Sequence, residues 1–406
     1  LASCSNSTST EEEENIVTDQ YTIINNQDEL DARMDIFDTE IELEIDTTLG
    51  DNLAKKKEKA DRFRLFYIAQ LLPPEINGET VQATMIYNDG SSRAFVSYNM
   101  RGAPYMGSVD LMQSFWFGTL RLRSSIQFND TDVNAVIADD NKVYTAVASS
   151  NQDFRSDQSA SVVQSYGYNG NNFSDENPDF APLQSFAANS VFKDNDAVYV
   201  TTGNTGGLSI YDENLSELQR YIEIPEARWV TADDSQIYVL AGDTDGDQQG
   251  TLFLIDKSSF EITNSYDFPG AYTPEAKNTV EVTGNFAFIA AGKEGVQIMN
   301  LSNGSIEDSI PIPDAAELGL TEDVVTTNSV TVENELIFIS NGEAGVYVAA
   351  NDVNFVDLGL GEELDISVLG QVKFPDLQSA NHVLLRGGVF NVAAGLGGTK
   401  TVWISR

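Results

Sequence analysis

Six polar residues recur along the chain about every 50 residues, and each is followed by a short apolar run. Five are amides and one is a guanidinium: Asn134, Asn189, Arg228, Asn278, Asn328 and Asn381. If the repeats form a ring, these side chains meet in one collar that could bind a polyol, a carboxylate or an ion. The alternative is that each Asn hydrogen-bonds nearby backbone at a turn.

The repeat at residue 228 departs from the others, because Arg228 and Trp229 replace an Asn and a small residue. A planar cation beside an aromatic ring could contact a sugar or an anion, which adds both residues to the predicted ligand site. The alternative for Trp229 is packing between neighbouring repeats.

An acidic loop, "GDTDGDQQG", places Asp243, Asp245 and Asp247 at alternate positions, as a loop that binds Ca²⁺ would. It departs from the EF-hand pattern, since Gln248 stands where that loop needs Gly and Leu254 where it needs a bidentate Glu. The loop could bind Ca²⁺ through incomplete ligands or be a solvated acidic turn. No other cofactor is expected.

Nucleophilic and metal-based catalysis find little support in the composition. His382 is the only histidine and Cys4 the only cysteine, so a Ser-His or Cys-His arrangement would depend on a single imidazole. A catalytic pair of carboxylates remains an alternative, since the chain has 63 acidic residues.

The polar residues must be positioned by the repeated unit that carries them. "NTVEVTGNFAFIAAG" from Asn278 and "NSVTVENELIFISNG" from Asn328 each predict a strand, a turn and a second strand that ends near Gly. A third apolar strand follows, and a fourth stops at proline, as in "SYDFP" and "GQVKFP". Four antiparallel strands with a period of about 50 residues are typical of a propeller blade.

The ends of the chain complete the predicted ring. The last repeat stops at "KTVWISR", without a fourth strand, whereas "RFRLFYIAQLLPP" at residues 62–74 has the missing pattern. We predict an all-β fold, a seven-bladed β-propeller of four-stranded antiparallel blades, closed by an N-terminal strand that completes the last blade. Leu1-Ala2-Ser3-Cys4 resembles a lipobox remnant, so the expected divisions are this remnant and a flexible acidic tether at 1–27, an N-terminal extension at 28–61 and the propeller at 62–406.

One repeat carries an insertion between residues 149 and 182, with Tyr166, Tyr168 and Phe173 among Asn, Ser and Gly. Such a composition is typical of a recognition loop, and loops on rigid scaffolds often bind. A tolerated surface insertion is the alternative.

Charge limits the partners. The formal net charge is −40, which repels nucleic acid and anionic lipid, so no nucleic-acid partner is expected. With 41% hydrophobic residues the chain can still bury a large core.

The string "GNFAFIAAGKEGVQIMNL" resembles the LVIVD-type β-propeller repeat of bacterial secreted and surface lipoproteins, and the resemblance covers about residues 62–406. Leu1-Ala2-Ser3-Cys4 likewise resembles the lipobox of such proteins, which implies lipidation of Cys4. Ser5 fits sorting to the Gram-negative outer membrane, and the run Glu11 to Glu14 is similar to an acidic surface-export signal or is a solvated spacer.

The sequence therefore predicts an outer-membrane lipoprotein on the cell surface, with a non-catalytic propeller that binds a ligand or scaffolds proteins. The expected partners are the outer membrane, through the lipid anchor, and a glycan or an envelope protein. The alternative is an extracellular enzyme that acts on glycans through paired carboxylates at the channel mouth.

Overall fold

The computed structural model describes residues 15–45, 53–89, 92–114, 120–139, 141–156, 159–174, 178–273, 276–359, 362–375 and 378–406. Cys4 and the run Glu11 to Glu14 lie outside the described residues.

The chain begins with short elements that precede the first blade. They are β1 (Ile16–Val17), β2 (Thr22–Ile24), α1 (Gln27–Asp31), β3 (Met34–Ile41), β4 (Leu43–Ile45), α2 (Leu53–Ala60), β5 (Arg64–Leu71), β6 (Glu75–Ile76) and β7 (Glu79–Thr80).

The described residues then form blades 1 to 7 in chain order, and within each blade the strands run from the channel outward. Blade 1 has β8 (Gln82–Asn88), β9 (Arg93–Asn99), β10 (Gly107–Ser114) and β11 (Leu120–Phe128); blade 2 has β12 (Thr131–Ala138), β13 (Lys142–Ser149), β14 (Ser161–Asn169), β15 (Asn172–Phe173) and β16 (Asp179–Pro182). Blade 3 has β17 (Ala188–Asp194), β18 (Ala197–Thr202), β19 (Gly207–Asp212) and β20 (Leu218–Glu223); blade 4 has β21 (Ala227–Ala232), β22 (Gln236–Ala241), β23 (Gln249–Asp256) and β24 (Ile262–Pro269).

The later blades follow the same plan. Blade 5 has β25 (Val280–Thr283), β26 (Phe286–Ala290), β27 (Val296–Asn300) and β28 (Ile306–Ile310); blade 6 has β29 (Ser329–Glu333), β30 (Leu336–Ser340), β31 (Val346–Ala350) and β32 (Ser367–Val372); blade 7 has β33 (His382–Arg386), β34 (Val389–Ala393), β35 (Thr399–Ser405) and β5. Two 3₁₀ turns, Glu322–Val324 and Phe355–Asp357, lie between strands. The predicted all-β, seven-bladed propeller is confirmed.

Burial explains why the middle strands of a blade are continuously apolar. Each blade lies between two others, so both faces of its central strands are covered. All five residues of β26 and of β30 are buried. The outer strand β24 is mostly exposed and carries Thr, Asn, Ser and Asp. The core therefore lies between blades, as where Phe338 of blade 6 meets Phe390 of blade 7 with ring centroids 4.4 Å apart.

Strand β5 closes the ring as predicted. It pairs antiparallel with β35 from Thr399 opposite Leu71 to Ser405 opposite Arg64, so one sheet joins the two ends of the sequence. Phe66 contacts Trp403 across this pair, with ring centroids 5.5 Å apart.

The N-terminal segment covers the outer edges of three adjacent blades. Strand β2 pairs with β11 of blade 1, β3 with β5 of blade 7 and β4 with β32 of blade 6. Covering an edge removes its unpaired backbone groups from solvent and from other chains. The extension, whose structure the sequence leaves open, thus supplies strands to the blades.

A flexible tether through residue 27 does not fit the structure from residue 15 onward. Tyr21 and Ile23 are buried against blade 1, and the Asn26 side chain accepts hydrogen bonds from backbone N–H groups at the start of α1. Tyr21 immediately precedes β2, and its ring contacts those of Phe128 and Tyr166, with centroids 6.3 Å and 5.8 Å apart. The sequence pattern missed this because the contact is entirely tertiary.

We predict that Ala69→Pro in β5 lowers the free energy of unfolding by about 2 kcal/mol or more, since proline removes a donor from a ladder. Ala69 is paired on both sides, with Ile36 of β3 and Thr401 of β35. Ile36→Pro is the matched control, because Ile36 lies in the edge strand. Urea unfolding followed by tryptophan fluorescence measures both. An equal loss in the two variants would contradict a special role for β5.

Candidate functional site

The recurring polar residues meet at one end of the central channel. Five of the six line one open cavity of about 680 Å³ there. We call this cavity the cup, and its wall includes Thr84, Asn134, Asn189, Arg228, Lys277, Asn328 and Asn381. The predicted gathering of these side chains is therefore found, with one exception, Asn278.

The collar residues bond from each blade to the next. In most blades a side-chain donor reaches the carbonyl that directly precedes the collar residue of the following blade. The pairs are Thr84 Oγ1 to Val133 O (3.1 Å), Asn134 Nδ2 to Ala188 O (2.9 Å), Asn189 Nδ2 to Ala227 O (2.9 Å), Asn328 Nδ2 to Ala380 O (3.2 Å) and Asn381 Nδ2 to Ala83 O (2.9 Å).

These bonds differ from the local turn bonding that was the alternative for the amides. Their acceptors lie in the neighbouring blade, so the side chains fasten blades together and do not stabilise their own turns. Thr84 is the collar residue of blade 1, which the degenerate first repeat concealed. Whether the collar also binds a ligand stays a prediction.

Blades 4 and 5 are joined differently. Arg228 donates to Thr273 O at 2.8 Å and to Asn278 Oδ1. Asn278 has a left-handed backbone, φ +50°, and its amide donates to Ala290 O of its own blade at 2.8 Å. Placing Asn278 at the mouth was wrong, because it is fully buried behind Arg228. Blades 5 and 6 are joined by backbone bonds between Gly292 and Thr327 instead.

A glycine at the end of the second strand makes room for the collar. In blade 4 a Cβ at Gly242 would lie 2.5 Å from Arg228 Nε, and in blade 3 a Cβ at Gly203 would lie 2.8 Å from Asn189 Nδ2. A side chain at either position would therefore displace Arg228 or Asn189 from the bonds that each makes to the next blade.

Two contacts cross the channel and form the floor of the cup. Trp229 of blade 4 stacks on His382 of blade 7, with ring centroids 5.8 Å apart. Lys277, at the entry to blade 5, donates from Nζ to Asn134 O of blade 2 at 2.8 Å and lies 5.8 Å from the Trp229 ring centroid. Trp229 therefore lies beneath the cup, whereas the sequence pattern placed it at the channel mouth.

Burial in the channel changes the protonation of the floor. It lowers the pKa of Lys277 to about 7. Burial, together with the charge of Lys277, lowers the pKa of His382 to about 3, so this imidazole is neutral at physiological pH. Deeper in the channel, burial raises the pKa of Glu281 to about 7 against the opposing hydrogen bond from Thr331.

The acidic loop uses its carboxylates internally. Asp243 accepts backbone N–H bonds from Asp245 (3.0 Å), Gly246 (2.7 Å) and Gln248 (3.0 Å), and Asp247 accepts from Gln249 (3.0 Å). In the described ranges no group of three or more His, Cys, Asp or Glu side chains is arranged to hold a metal ion. The structure thus does not bring Asp243, Asp245 and Asp247 together as ligands.

The insertion in blade 2 is not a recognition loop of aromatic residues. Tyr166, Tyr168 and Phe173 belong to β14 and β15 and are at most 4% exposed. They pack with Tyr21 and Phe128 in the core near blades 1 and 2. The Asn and Ser residues around them suggested a surface, but the period-2 apolar alternation of β14 was the better signal.

Sequence reasoning missed Lys277 and Glu281. Lys277 had a detectable signal, because the residues before the other collar positions are Val133, Ala188, Ala227, Thr327 and Ala380. A lone charge at an otherwise small or apolar position indicates a special role. Glu281 had no such signal, since only the ring brings it near Thr331 and Arg386.

The fold and the cup define a seven-bladed β-propeller with a polar cavity closed by cross-channel contacts. No family model and no curated protein matches the sequence. Among solved structures, the computationally designed protein Ika8 is 8% identical, with 91% of this chain and 99% of that chain covered and a TM-score of 0.46. BamB from Moraxella catarrhalis is 11% identical, with 82% and 85% covered and a TM-score of 0.46.

These similarities assign no function to the chain. In the part of the chain that the structure describes, neither helix has the length and apolar character needed to span a bilayer.

We predict that Asn381→Ala destabilises the fold by about 1–3 kcal/mol, because it leaves the Ala83 carbonyl without its donor where blade 7 meets blade 1. The matched control is Asn264→Ala in the exposed outer strand β24, expected to stay within about 0.5 kcal/mol of the wild type. Urea unfolding measures both changes, and equal values would contradict the role of the collar in joining blades.

Proposed function

We propose that the chain is a non-catalytic binding propeller, anchored by lipid at Cys4 to the outer membrane and displayed on the cell surface, whose cup holds a polar ligand. The ligand is a glycan or a polar segment of an envelope protein. The observation that carries this proposal is the cup itself, a rigid polar cavity with Lys277 on its floor.

Size and rigidity support binding. The cup volume of about 680 Å³ lies within the range of small-molecule sites. Because the collar side chains are fixed by bonds between blades, little conformational freedom remains to be lost when a ligand enters. A preorganised polar cavity of this kind suits a ligand rich in hydrogen-bonding groups.

The state of the polar groups supports a non-catalytic role. The collar amides and Arg228 are engaged in joining blades. His382 is stacked on Trp229, and because its pKa is lowered to about 3 the imidazole is neutral and a weak base at neutral pH.

The lipid anchor and the surface location rest on the sequence. The lipobox-like Leu1-Ala2-Ser3-Cys4 and the acidic run Glu11 to Glu14 support both. The repeat phrase at residues 284–301 supports membership of the LVIVD-type propellers, which remains part of the proposal.

One observation favours a second candidate, an enzyme acting on glycans. Glu226, Asp323 and Glu343 line the cup, so carboxylates are present at the mouth as this function requires. The wild type would then release sugar fragments from a glycan, and Glu226→Gln, Asp323→Asn or Glu343→Gln would abolish that release. This result would show that the function is hydrolysis and not binding alone.

We predict that Glu343→Trp abolishes ligand binding, since this exposed residue lines the cup and an indole there obstructs the mouth. Glu213→Trp is the matched control, because Glu213 lies in the turn between the third and fourth strands of blade 3, at the opposite end of the channel. The measurement is binding of the fluorescently labelled chain to a glycan array and to immobilised envelope proteins. Unchanged binding by Glu343→Trp would contradict a site in the cup.

We also predict that Cys4→Ser abolishes incorporation of an alkyne-tagged fatty acid when the protein is expressed from its natural gene in a Gram-negative host, because the thiol accepts the lipid. Ser5→Ala retains the cysteine and is the control for labelling. Click detection on gels and fractionation of membranes measure the outcome. Labelling of the Cys4→Ser variant would exclude this anchor.

A further inference from the structure

We propose that the cup selects an acidic sugar, with Lys277 pairing with the carboxylate and the surrounding polar wall contacting the hydroxyl groups. This inference rests on the proposed function, because it names the ligand of the same site. The inference predicts that the cup binds hexuronates more tightly than neutral hexoses of similar size and shape.

Lys277 is placed to receive an anion. It lines the cup, and its Nζ donates one hydrogen bond, to Asn134 O at 2.8 Å. An ammonium group has three donors, so further donors remain for a ligand. Among the described residues, no carboxylate contributes to the electrostatic environment that sets its pKa.

The face of Trp229 beside Lys277 favours the charged form of the lysine. The ammonium lies 5.8 Å from the ring centroid. At this separation the aromatic quadrupole attracts a cation. A ligand carboxylate would supply the negative charge that the protein leaves out at this position, and a buried pair of this kind is stronger than one at the surface.

The wall of the cup suits hydroxyl groups. Glu226, Asp323 and Glu343 line the cup and have acceptor oxygens, and the amide of Asn189 has an acceptor oxygen besides the Nδ2 that bonds Ala227 O. Sugar hydroxyls can donate to all of these groups. A simple anion has no hydroxyl groups to donate to these acceptors and a neutral sugar has no charge to pair with Lys277, so a ligand with both hydroxyls and a carboxylate matches the cup better than either group alone.

Proton binding gives this inference a distinctive signature. A carboxylate binds the protonated Lys277, which is the dominant form below pH 7 and is lost above it, because burial lowers the pKa of this lysine to about 7. The apparent affinity scales with the protonated fraction, so it falls about tenfold between pH 6 and pH 8.

Other titratable groups near the floor and wall of the cup could also change charge between pH 6 and pH 8, so their contribution must be distinguished from that of Lys277. His382 of β33 is neutral throughout, with a pKa lowered to about 3. Burial raises the pKa of Glu281 on β25 to about 7 and that of Asp132 on β12 to about 6, against opposing hydrogen bonds.

The remaining charged groups of the cup are Arg101, Glu226, Arg228, Asp323 and Glu343. All of the other titratable groups are retained when only Lys277 is replaced.

The test is calorimetric titration of the full chain with galacturonate and with galactose at pH 6 and pH 8. For the wild type we expect galacturonate to bind at least about tenfold more tightly than galactose at pH 6, and about tenfold more weakly at pH 8 than at pH 6. Galactose binding is expected to change little with pH.

Two substitutions isolate the lysine. Lys277→Arg keeps the positive charge at every pH used, so the preference for galacturonate persists and its pH dependence disappears. Lys277→Met keeps an apolar stem and loses the charge, so galacturonate binds no better than galactose. Thermal unfolding of each variant verifies that it is folded.

Three results would overturn the inference: no galacturonate binding by the wild type, equal affinity for the two sugars at pH 6, or an unchanged pH profile in Lys277→Arg. Failure of the inference is distinguishable from failure of the proposed function. If a neutral glycan or an envelope protein binds and Glu343→Trp prevents it, the cup is still a binding site with another ligand. If nothing binds in the cup, both fail.

Discussion

The antiparallel pairing of β5 with β35 is the contact on which the rest of the molecule depends. Seven blades form a ring only when the first and last blades meet, and that contact requires Arg64–Leu71 to pair with Thr399–Ser405. Most of the chain lies between these two strands, so forming the closing pair costs the conformational entropy of closing a long loop. Burial between blades offsets that cost, because closing the ring covers a face of blade 7 and a face of blade 1 at once.

Ring closure also creates the site. The collar residues belong to different repeats and are far apart in sequence, yet most of them donate to the backbone of the next blade. The last of these bonds, from Asn381 to Ala83, exists only in a closed ring. The cup and the stability of the fold thus have a common origin, since the groups that fix the blades together also form the wall of the cavity.

The floor of the cup is the place where the protein departs from what stability alone favours. A lysine whose pKa falls to about 7 is destabilising in its charged form, because its burial is not compensated by a neighbouring carboxylate. An apolar residue of similar length would pack against Trp229 without that cost. Such a group is typical of a functional position, and here it lines the cup.

The repeats by themselves determined the blade count, the four-strand unit, the closing role of residues 62–74 and the convergence of most collar residues, because strand pairing within a blade is local and leaves a periodic pattern. They did not determine which residues meet across the ring. Asn278 turns away from the mouth through its backbone, Trp229 reaches His382 from the opposite blade, and Tyr21 is buried by residues of blades 1 and 2. These contacts depend on angles between blades and on side-chain direction, and neither is encoded in the periodicity of one strand. Only the closed tertiary structure brings Lys277 to Asn134, 143 residues away, and so forms the floor of the cup.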